Sequence, residues 1–239
     1  MSNILSHPGQ DIINQFAAGE LPEALSIAVA AHIDLCPACA DQLKLAEQAL
    51  AEQTLGDAAP IDLTVDAKTE ALPPELMDML GSILSESPQS QAELTAESLK
   101  QLDQGEWQVN YCGRDYELPR ALGKLLQQQL HWQQMGKFHR SRLQQSDSWR
   151  TSLLYIEPGG QTPEHTHTGR EATLVLDGKF VDQGITYGPG DFIFRDAQHK
   201  HSPSAPADTS CLCLTAVEAP LHFTKGAARL LNPIAKLLY

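Results

Sequence analysis

Residues 158–178, PGGQTPEHTHTGREATLVLDG, place two histidines and a glutamate within seven residues. His165 and His167 are separated by one residue, so both side chains point to the same face of a strand, because side chains alternate with period two. Glu171 follows after a short turn, and the apolar run behind it predicts a second strand. The stretch therefore predicts two consecutive strands that bring two imidazoles and a carboxylate together.

A second pair of histidines follows about one hairpin later, in DFIFRDAQHKHSPSA (191–205). His199 and His201 also share one face of an extended segment, and the spacing alone leaves both open as a third imidazole ligand. Three imidazoles and a carboxylate suit Zn, Fe or Mn, so the residue types do not select the metal. The alternative is a solvated histidine-rich turn, which four candidate ligands at barrel-like spacing disfavour.

The chain after Gly105 reads as an all-β region. Its apolar segments are short and are separated by Gly and Pro, a spacing typical of a sandwich or a small barrel. The clearest segments are SLLYIEPGG (152–160), ATLVLDGKF (172–180), GDFIF (190–194) and CLCLTAV (211–217). Residues 118–134 have leucine spacing that suits a helix, yet they directly precede the strands, so helix and strand both stay open there.

The N-terminal region reads as helical. The first helix is expected to end at Gly19, and a second should begin at Pro22, a favourable first position. It should end near Leu35, because Pro37 disfavours helical geometry at the residue before it. A third helix then runs from Pro37 to about Leu55.

The stretch AHIDLCPACA (31–40) lies at that break and contains His32, Cys36 and Cys39. Spacings of four and three residues let the three side chains converge. Structural zinc takes four N or S ligands, and His7 is the only other His or Cys in residues 1–111, so by elimination it closes a His₂Cys₂ site. A metal clip would stabilise helices that bury little surface. A redox C-x-x-C pair and chance clustering are the alternatives, although a redox pair normally opens a helix after a strand.

Composition shifts predict the domain organisation. The fold class is multidomain α and β, a small zinc-binding helical bundle followed by an all-β barrel. We predict a helical domain over 1–86, a linker over 87–105, an all-β domain over 106–222 and a C-terminal tail over 223–239, in which a short helix is one option. Further short helices are expected at 75–84 and 95–103.

Charge and hydropathy limit the function classes. Residues 1–106 contain 18 Asp and Glu against 3 Lys, whereas residues 107–239 contain 12 against 14 Lys and Arg. Such acidity disfavours nucleic-acid binding. It is compatible with a basic protein partner, and the alternative is that the negative charge only increases solubility. The start of the chain lacks a signal peptide pattern, and no apolar run is long enough to span a membrane, so a cytoplasmic location is expected.

Residues 159–178 match the first cupin motif, G-x5-H-x-H-x3-E-x6-G, in full. The segment from Gly184 through PGD (189–191) to His201 resembles the second motif, with Ala205 where that motif often has Asn. The resemblance implies a jelly-roll barrel and makes His201 the motif's histidine, with His199 as the second choice. The metal ligands that it implies are His165, His167, Glu171 and His201.

A helical segment with H-x3-C-x2-C in front of a cupin resembles the ChrR-type anti-sigma factors. The resemblance extends to His7-Pro8, AAGELPEAL (17–25) and APLHF (219–223). It implies a first zinc site at His7, His32, Cys36 and Cys39, and a second metal, zinc or another divalent ion, in the cupin. It also implies a non-enzymatic regulator that inhibits an extracytoplasmic-function sigma factor and releases it on an oxidative signal, such as singlet oxygen or an organic hydroperoxide. A basic surface on the sigma factor would suit the acidic N-terminal half.

Cys211 and Cys213 share one face of a predicted strand, at the edge of disulfide range, so a bridge would require the strand to buckle. We expect them either to line the barrel and take part in sensing or to be small apolar core residues. Cys112 has no expected role. The alternative function is a metal-dependent cupin enzyme, a dioxygenase or isomerase, and a weaker option is a scaffold without sensing.

Overall fold

The computed structural model describes residues 4–56, 107–127, 129–145, 148–196 and 199–225, together with residues 229 and 232. Residues 1–50 and 107–239 belong to one compact unit, and residues 51–106 form a second. Apart from residues 51–56, every described residue belongs to the first unit. The helices predicted at 75–84 and 95–103, the linker and most of the C-terminal tail lie outside the described residues.

Three helices open the chain, as predicted. They are α1 (Gln10–Ala17), α2 (Glu23–Leu35) and α3 (Pro37–Leu55). Gly19 has a φ of +70° just after α1, which glycine adopts without strain. Cys36 is extended, with φ −120° and ψ 98°, because Pro37 excludes the helical region for the residue before it. The break therefore separates α2 from α3 by one residue.

Among the described helices, none alone is long and apolar enough to span a membrane. Helices α2 and α3 together are long and apolar enough to span a membrane, but the chain bends by 119° between them. Helix α2 is largely buried inside the protein, since its apolar residues surround the whole helix.

The rest of the described chain is mainly antiparallel sheet. A 3₁₀ turn (Arg120–Leu122) and a short helix, α4 (Gly123–Leu126), lie between the second and third strands, so the ambiguous segment 118–134 is part helix and part strand. The strands are β1 (Gln108–Tyr111), β2 (Arg114–Glu117), β3 (Trp132–Met135), β4 (Phe138–Gln145), β5 (Arg150–Ile156), β6 (His165–His167), β7 (Glu171–Gly178), β8 (Phe180–Asp182), β9 (Ile185–Tyr187), β10 (Phe192–Arg195), β11 (Lys200–His201), β12 (Cys211–Val217) and β13 (Leu221–Phe223).

Two of the described sheets enclose the barrel interior. The larger has six strands in the order β10-β7-β12-β5-β4-β3, and the smaller has three in the order β11-β6-β13. The strand pairings within both sheets are antiparallel. The four segments predicted most clearly as strands are the four neighbours β10, β7, β12 and β5. The prediction of a helical segment followed by an all-β barrel is confirmed.

Both faces of the central strands β7, β12 and β5 of the large sheet are largely buried. On β12, Leu212 and Leu214 belong to the same apolar core as Leu25 and Val29 of α2, while Cys213 belongs to the core inside the barrel. Helix α2 contacts β12 and β7 directly. Helix α2 therefore covers the outer face of β7 and β12, and β7 also carries Glu171 of the second candidate site.

Candidate metal centres

Four side chains converge at the break between α2 and α3. The Nδ1 of His7 lies 3.5 Å from Sγ of Cys36 and 3.4 Å from Sγ of Cys39. The Nε2 of His32 lies 3.2 Å from Sγ of Cys39. One ligand atom from each residue lies within 4.8 Å of the others. The structure thus brings together the four residues proposed for the first site.

The donor set fits zinc. Ligands around a tetrahedral zinc with bonds of 2.0–2.3 Å stand about 3.3–3.8 Å apart, close to the separations seen here. Burial lowers the pKa of His32 to about 4, so its imidazole is neutral and can bind a cation through Nε2. Burial, followed by contact with Cys36, raises the pKa of Cys39 to about 12, and a bound cation is what ionises such a thiol. Four protein ligands leave no open position, which is typical of a structural site.

A second cluster lies inside the barrel. The Nε2 atoms of His167 and His201 are 3.1 Å apart, and Oε2 of Glu171 lies 2.8 Å from the first and 3.5 Å from the second. The ligand atoms of His165, His167 and His201 all lie within 4.8 Å of one another. All four residues are buried. Lone pairs facing each other at about 3 Å are the arrangement that ligands of one ion adopt when the bonds are near 2.1 Å.

Outer contacts fix the orientation of two of these imidazoles. The Nδ1 of His165 donates to the carbonyl of Pro163 at 2.8 Å, and the Nδ1 of His201 donates to Oδ2 of Asp182 at 3.3 Å. Each contact leaves Nε2 free to face the cluster. Arg195 in turn contacts the same carboxylate oxygen of Asp182 at 3.4 Å. The sequence patterns missed Asp182 and Arg195, which lie outside the matched motif positions.

The protonation equilibria follow from burial and mutual contact. Burial lowers the pKa of His165 to about 4. Burial alone would raise the pKa of Glu171, but the charges and hydrogen bond of the histidines, His167 first, lower it to about 2. Burial would likewise lower the pKa of His201, yet Asp182 and Glu171 outweigh it and raise that pKa. The cluster therefore offers a carboxylate and imidazoles, a mixed N/O set that fits a divalent metal.

Comparison with known proteins finds matches to both parts of the chain, the N-terminal helical segment and the barrel. A family model of the ChrR cupin-like domain matches residues 126–219, and a zinc-finger model matches residues 10–40. The chain is 29% identical over 238 residues to Anti-sigma-E factor ChrR of Cereibacter sphaeroides, covering 98% of this chain and 99% of that one. Along its whole length, the chain is similar to the anti-sigma factor ChrR. A solved structure of Rhodobacter sphaeroides SigE in complex with the anti-sigma ChrR matches 90% of this chain and 100% of that chain, with 25% identity and a TM-score of 0.64.

His199 lies away from the cupin cluster. Its side chain is 46% exposed, and its Nδ1 lies 2.6 Å from Oδ1 of Asp196. His201, two residues later, pairs with His165 across the β11–β6 ladder. The geometry therefore favours His201 as the third imidazole ligand, and metal binding at either position stays a prediction.

The cysteines of the ChrR-type barrel occupy two different environments. Cys112 is exposed in the turn between β1 and β2. Cys211 and Cys213 are fully buried in the barrel core, and their Sγ atoms are 3.3 Å apart. The pairing of β12 with β7 shifts register between Leu212 and Cys213, the kind of irregularity that a shorter sulfur separation requires. Burial raises the pKa of Cys213, so this thiol stays protonated.

A cavity of about 450 Å³ opens onto the cupin cluster. Its walls include His165, His167 and Glu171, and its remaining surface is mainly apolar. The apolar wall residues include Phe138, Leu154, Phe180, Leu221 and Phe223. Pockets of 300–1,000 Å³ hold small organic ligands, so the cavity can admit an apolar molecule to the side of the barrel that carries the cluster.

Proposed function

We propose that this chain is an anti-sigma factor that binds a sigma factor of the extracytoplasmic-function class in the cytoplasm and keeps it inactive. The observation that carries the proposal is the similarity to Anti-sigma-E factor ChrR along the whole length of both chains. The solved relative is bound to SigE, which supports a sigma factor as the partner. The acidic N-terminal half fits a partner whose surface is basic, because complementary charge favours association. A regulatory role is thus favoured over an enzyme.

The proposal predicts a stable complex with a sigma factor. Helix α2 packs on the cupin sheet, so the full chain is the appropriate sample. When the zinc-loaded chain is co-expressed with candidate extracytoplasmic-function sigma factors, we expect one of them to co-purify at equal stoichiometry. The same chain should abolish transcription by that sigma factor in a purified assay. Absence of both complex formation and inhibition across all candidates would refute the anti-sigma role.

We further propose that zinc occupies the N-terminal cluster and that a divalent metal occupies the cupin cluster, held by His165, His167, Glu171 and His201. The first site would hold α3 against the preceding segments, since Cys39 is the buried residue of that helix. The second would face the apolar cavity, which is large enough to admit a small oxidant. An organic hydroperoxide fits this environment, because its body is apolar and its oxygen atoms can bind a metal. The chemistry of the cavity therefore supports the cupin as the sensing domain.

Cys211 and Cys213 are the second group that we propose for sensing. Their Sγ separation of 3.3 Å allows a disulfide after a small displacement. In that step the two thiols lose two electrons and two protons, a sulfur–sulfur bond forms, and the hydroperoxide O–O bond breaks to leave an alcohol and water. Burial shields the thiols from oxidants in bulk solvent, so this reaction requires an oxidant that enters the barrel.

Variants at the cupin cluster should separate sigma binding from sensing. We expect His201→Ala to lose the cupin metal and the release of sigma factor by an organic hydroperoxide, while inhibition without oxidant persists. His199→Ala is the matched control and should retain metal and response, because its side chain points away from the cluster. A Cys211→Ser, Cys213→Ser double variant should lose part of the response. Metal content and sigma release by titration with hydroperoxide are the measurements.

Unchanged release in His201→Ala would remove the metal cluster from the sensing mechanism. Unchanged release in the double cysteine variant would remove the thiol pair alone.

A further inference from the structure

A turn of the cupin domain lies against the N-terminal metal cluster. The turn comprises residues 188–191, between β9 and β10. The Nδ1 of His32 donates a hydrogen bond to the carbonyl of Gly190 at 2.8 Å, in a buried environment. This bond leaves the lone pair of Nε2 directed at Cys39. A carbonyl from the cupin domain thus selects the tautomer with which His32 can bind zinc.

The same turn holds the segment that carries His7. The carboxylate of Asp191 is buried, and its Oδ1 accepts hydrogen bonds from the backbone N–H groups of Leu5 and Ser6, at 2.6 and 2.8 Å. Its Oδ2 accepts the N–H of Gly188 at 2.8 Å. Hydrogen bonds to an ionised acceptor are about twice as strong as neutral ones. We call these contacts of Asp191 with Leu5, Ser6 and Gly188 the clamp, and they fix the backbone immediately before His7.

Phe192, the first residue of β10, adds two contacts through its backbone to the same N-terminal segment. The N–H of Phe192 donates to the carbonyl of Ser6 at 2.9 Å, and the hydroxyl of Ser6 donates to the carbonyl of Phe192 at 2.7 Å. The segment before His7 is therefore attached to the edge of the large sheet at β10. Two of the four first-site residues, His7 and His32, depend on the cupin domain for their position.

Gly190 is the residue that makes this approach possible. Its φ is +93°, which side-chain-bearing residues rarely adopt. A Cβ at this position would lie 2.6 Å from Cδ1 and 2.8 Å from Cγ1 of Ile4. A side chain here would require Ile4 to move, and the strain of the positive φ would favour a changed backbone that draws the carbonyl away from His32.

We propose that the 188–191 turn is the outer shell of the N-terminal zinc site, with Gly190 and Asp191 as positioning residues that set its zinc affinity from within the cupin domain. The inference rests on the zinc site proposed above and goes beyond it, because it makes that site a joint property of both domains. By linkage, zinc binding and docking of residues 4–7 on the cupin sheet stabilise each other.

Strand β10 also connects this turn to the second cluster. Phe192 at its start contacts Ser6, and Arg195 at its end contacts Asp182, the partner of His201. The contacts to the two clusters thus lie at opposite ends of one strand of four residues. A displacement of β10 caused by chemistry in the barrel would reach the zinc site through the clamp.

The test is the metal affinity of the N-terminal site in the full chain. Cobalt bound to thiolates gives a charge-transfer absorbance that the cupin cluster, which has imidazole and carboxylate ligands, cannot give. Displacement of this absorbance by zinc, in competition with a chelator, therefore reports the first site alone. Gly190→Ala and Asp191→Asn should each weaken zinc binding by about 10–100-fold, as loss of an outer partner does elsewhere. Asp191→Asn should also change the cobalt d–d bands, because a neutral amide that no longer accepts the N–H of Gly188 holds the segment before His7 less firmly than the carboxylate does.

The controls match each variant in chemistry. Gly184→Ala places a side chain at a φ of +80° with no atom within 4 Å, and Asp177→Asn removes a carboxylate of β7 that pairs with Arg114. Both should stay within about twofold of the unaltered affinity, a small change on the scale of outer-partner losses. If Gly190→Ala does not fold, the zinc affinities of Asp191→Asn and Ser6→Ala test the inference in its place. Affinities equal to those of the controls would overturn the inference. Absence of the thiolate band from the unaltered chain would instead refute the zinc site, and the inference with it.

Discussion

Replacing Cys39 by Ser is expected to remove the N-terminal zinc ion and, with it, inhibition of the sigma factor. Cys39 contacts both His7 and His32, and it is the buried residue of α3. Structural zinc contributes about 10–16 kcal/mol of binding free energy in zinc-finger peptides, and much of that holds the fold. With a ligand missing, α3 loses its anchor to α2. Sigma binding should fall by more than the roughly 10–100-fold seen when only an outer partner is lost.

Zinc stoichiometry, measured on the purified full chain, and sigma-factor affinity are the two readouts. The matched control is Cys112→Ser, which changes an exposed thiol in the β1–β2 turn and should leave both unchanged. A Cys39→Ser chain that keeps its zinc and still inhibits the sigma factor would show that the cluster has no structural role.

The N-terminal elements could be predicted because their signals are local. Pro37 alone determines where α2 ends and α3 begins, and the observed bounds agree with that rule. The convergence of His32, Cys36 and Cys39 is a consequence of the same break. His7 could be proposed only by elimination, and its position depends on contacts that no local pattern encodes.

The docking of helices on the cupin sheet was not predicted, although two signals pointed to it. Helix α2 is apolar on all sides, which indicates burial on more than one face. The strand CLCLTAV is apolar at both odd and even positions, which indicates that both of its faces are covered. The partner surfaces are far apart in sequence, so only the fold reveals that these two signals describe one interface.

The outer contacts of both clusters were missed for a similar reason. Asp191 binds residues 185 and 186 positions away, and Asp182 of β8 binds His201 of β11, which lies 19 residues later in a different sheet. Asp191 stands in the PGD of the second motif, but the motif does not reveal that its carboxylate binds the N-terminal segment, and nothing in the sequence distinguishes Asp182 from a surface carboxylate. The ligands themselves lie on short, regular spacings that strand and helix periods impose, which is why they could be named in advance.

Replacing Gly178 by Ala is expected to destabilise the barrel strongly. Gly178 ends β7 opposite Cys211 of β12, with a φ of +79°. A Cβ there would lie 1.9 Å from the carbonyl oxygen of Ser210 and 3.2 Å from Cα of Cys211. Backbone atoms cannot move aside as a side chain can, so β7 and β12 would have to separate. The expected loss is about 4 kcal/mol or more in the free energy of unfolding, the range reserved for severe core defects.

Gly136→Ala separates the clash from the backbone strain. Gly136 has a φ of +64° in the turn between β3 and β4, and a Cβ at this position would have no atom within 4 Å. It should lose only about 1–2 kcal/mol, the strain of a left-handed residue. Urea unfolding of the two full-length variants measures the difference. Equal losses would mean that strain alone explains the effect at Gly178. A much larger loss at Gly178 would mean that this motif glycine is required by the close approach of β12 and not by metal chemistry.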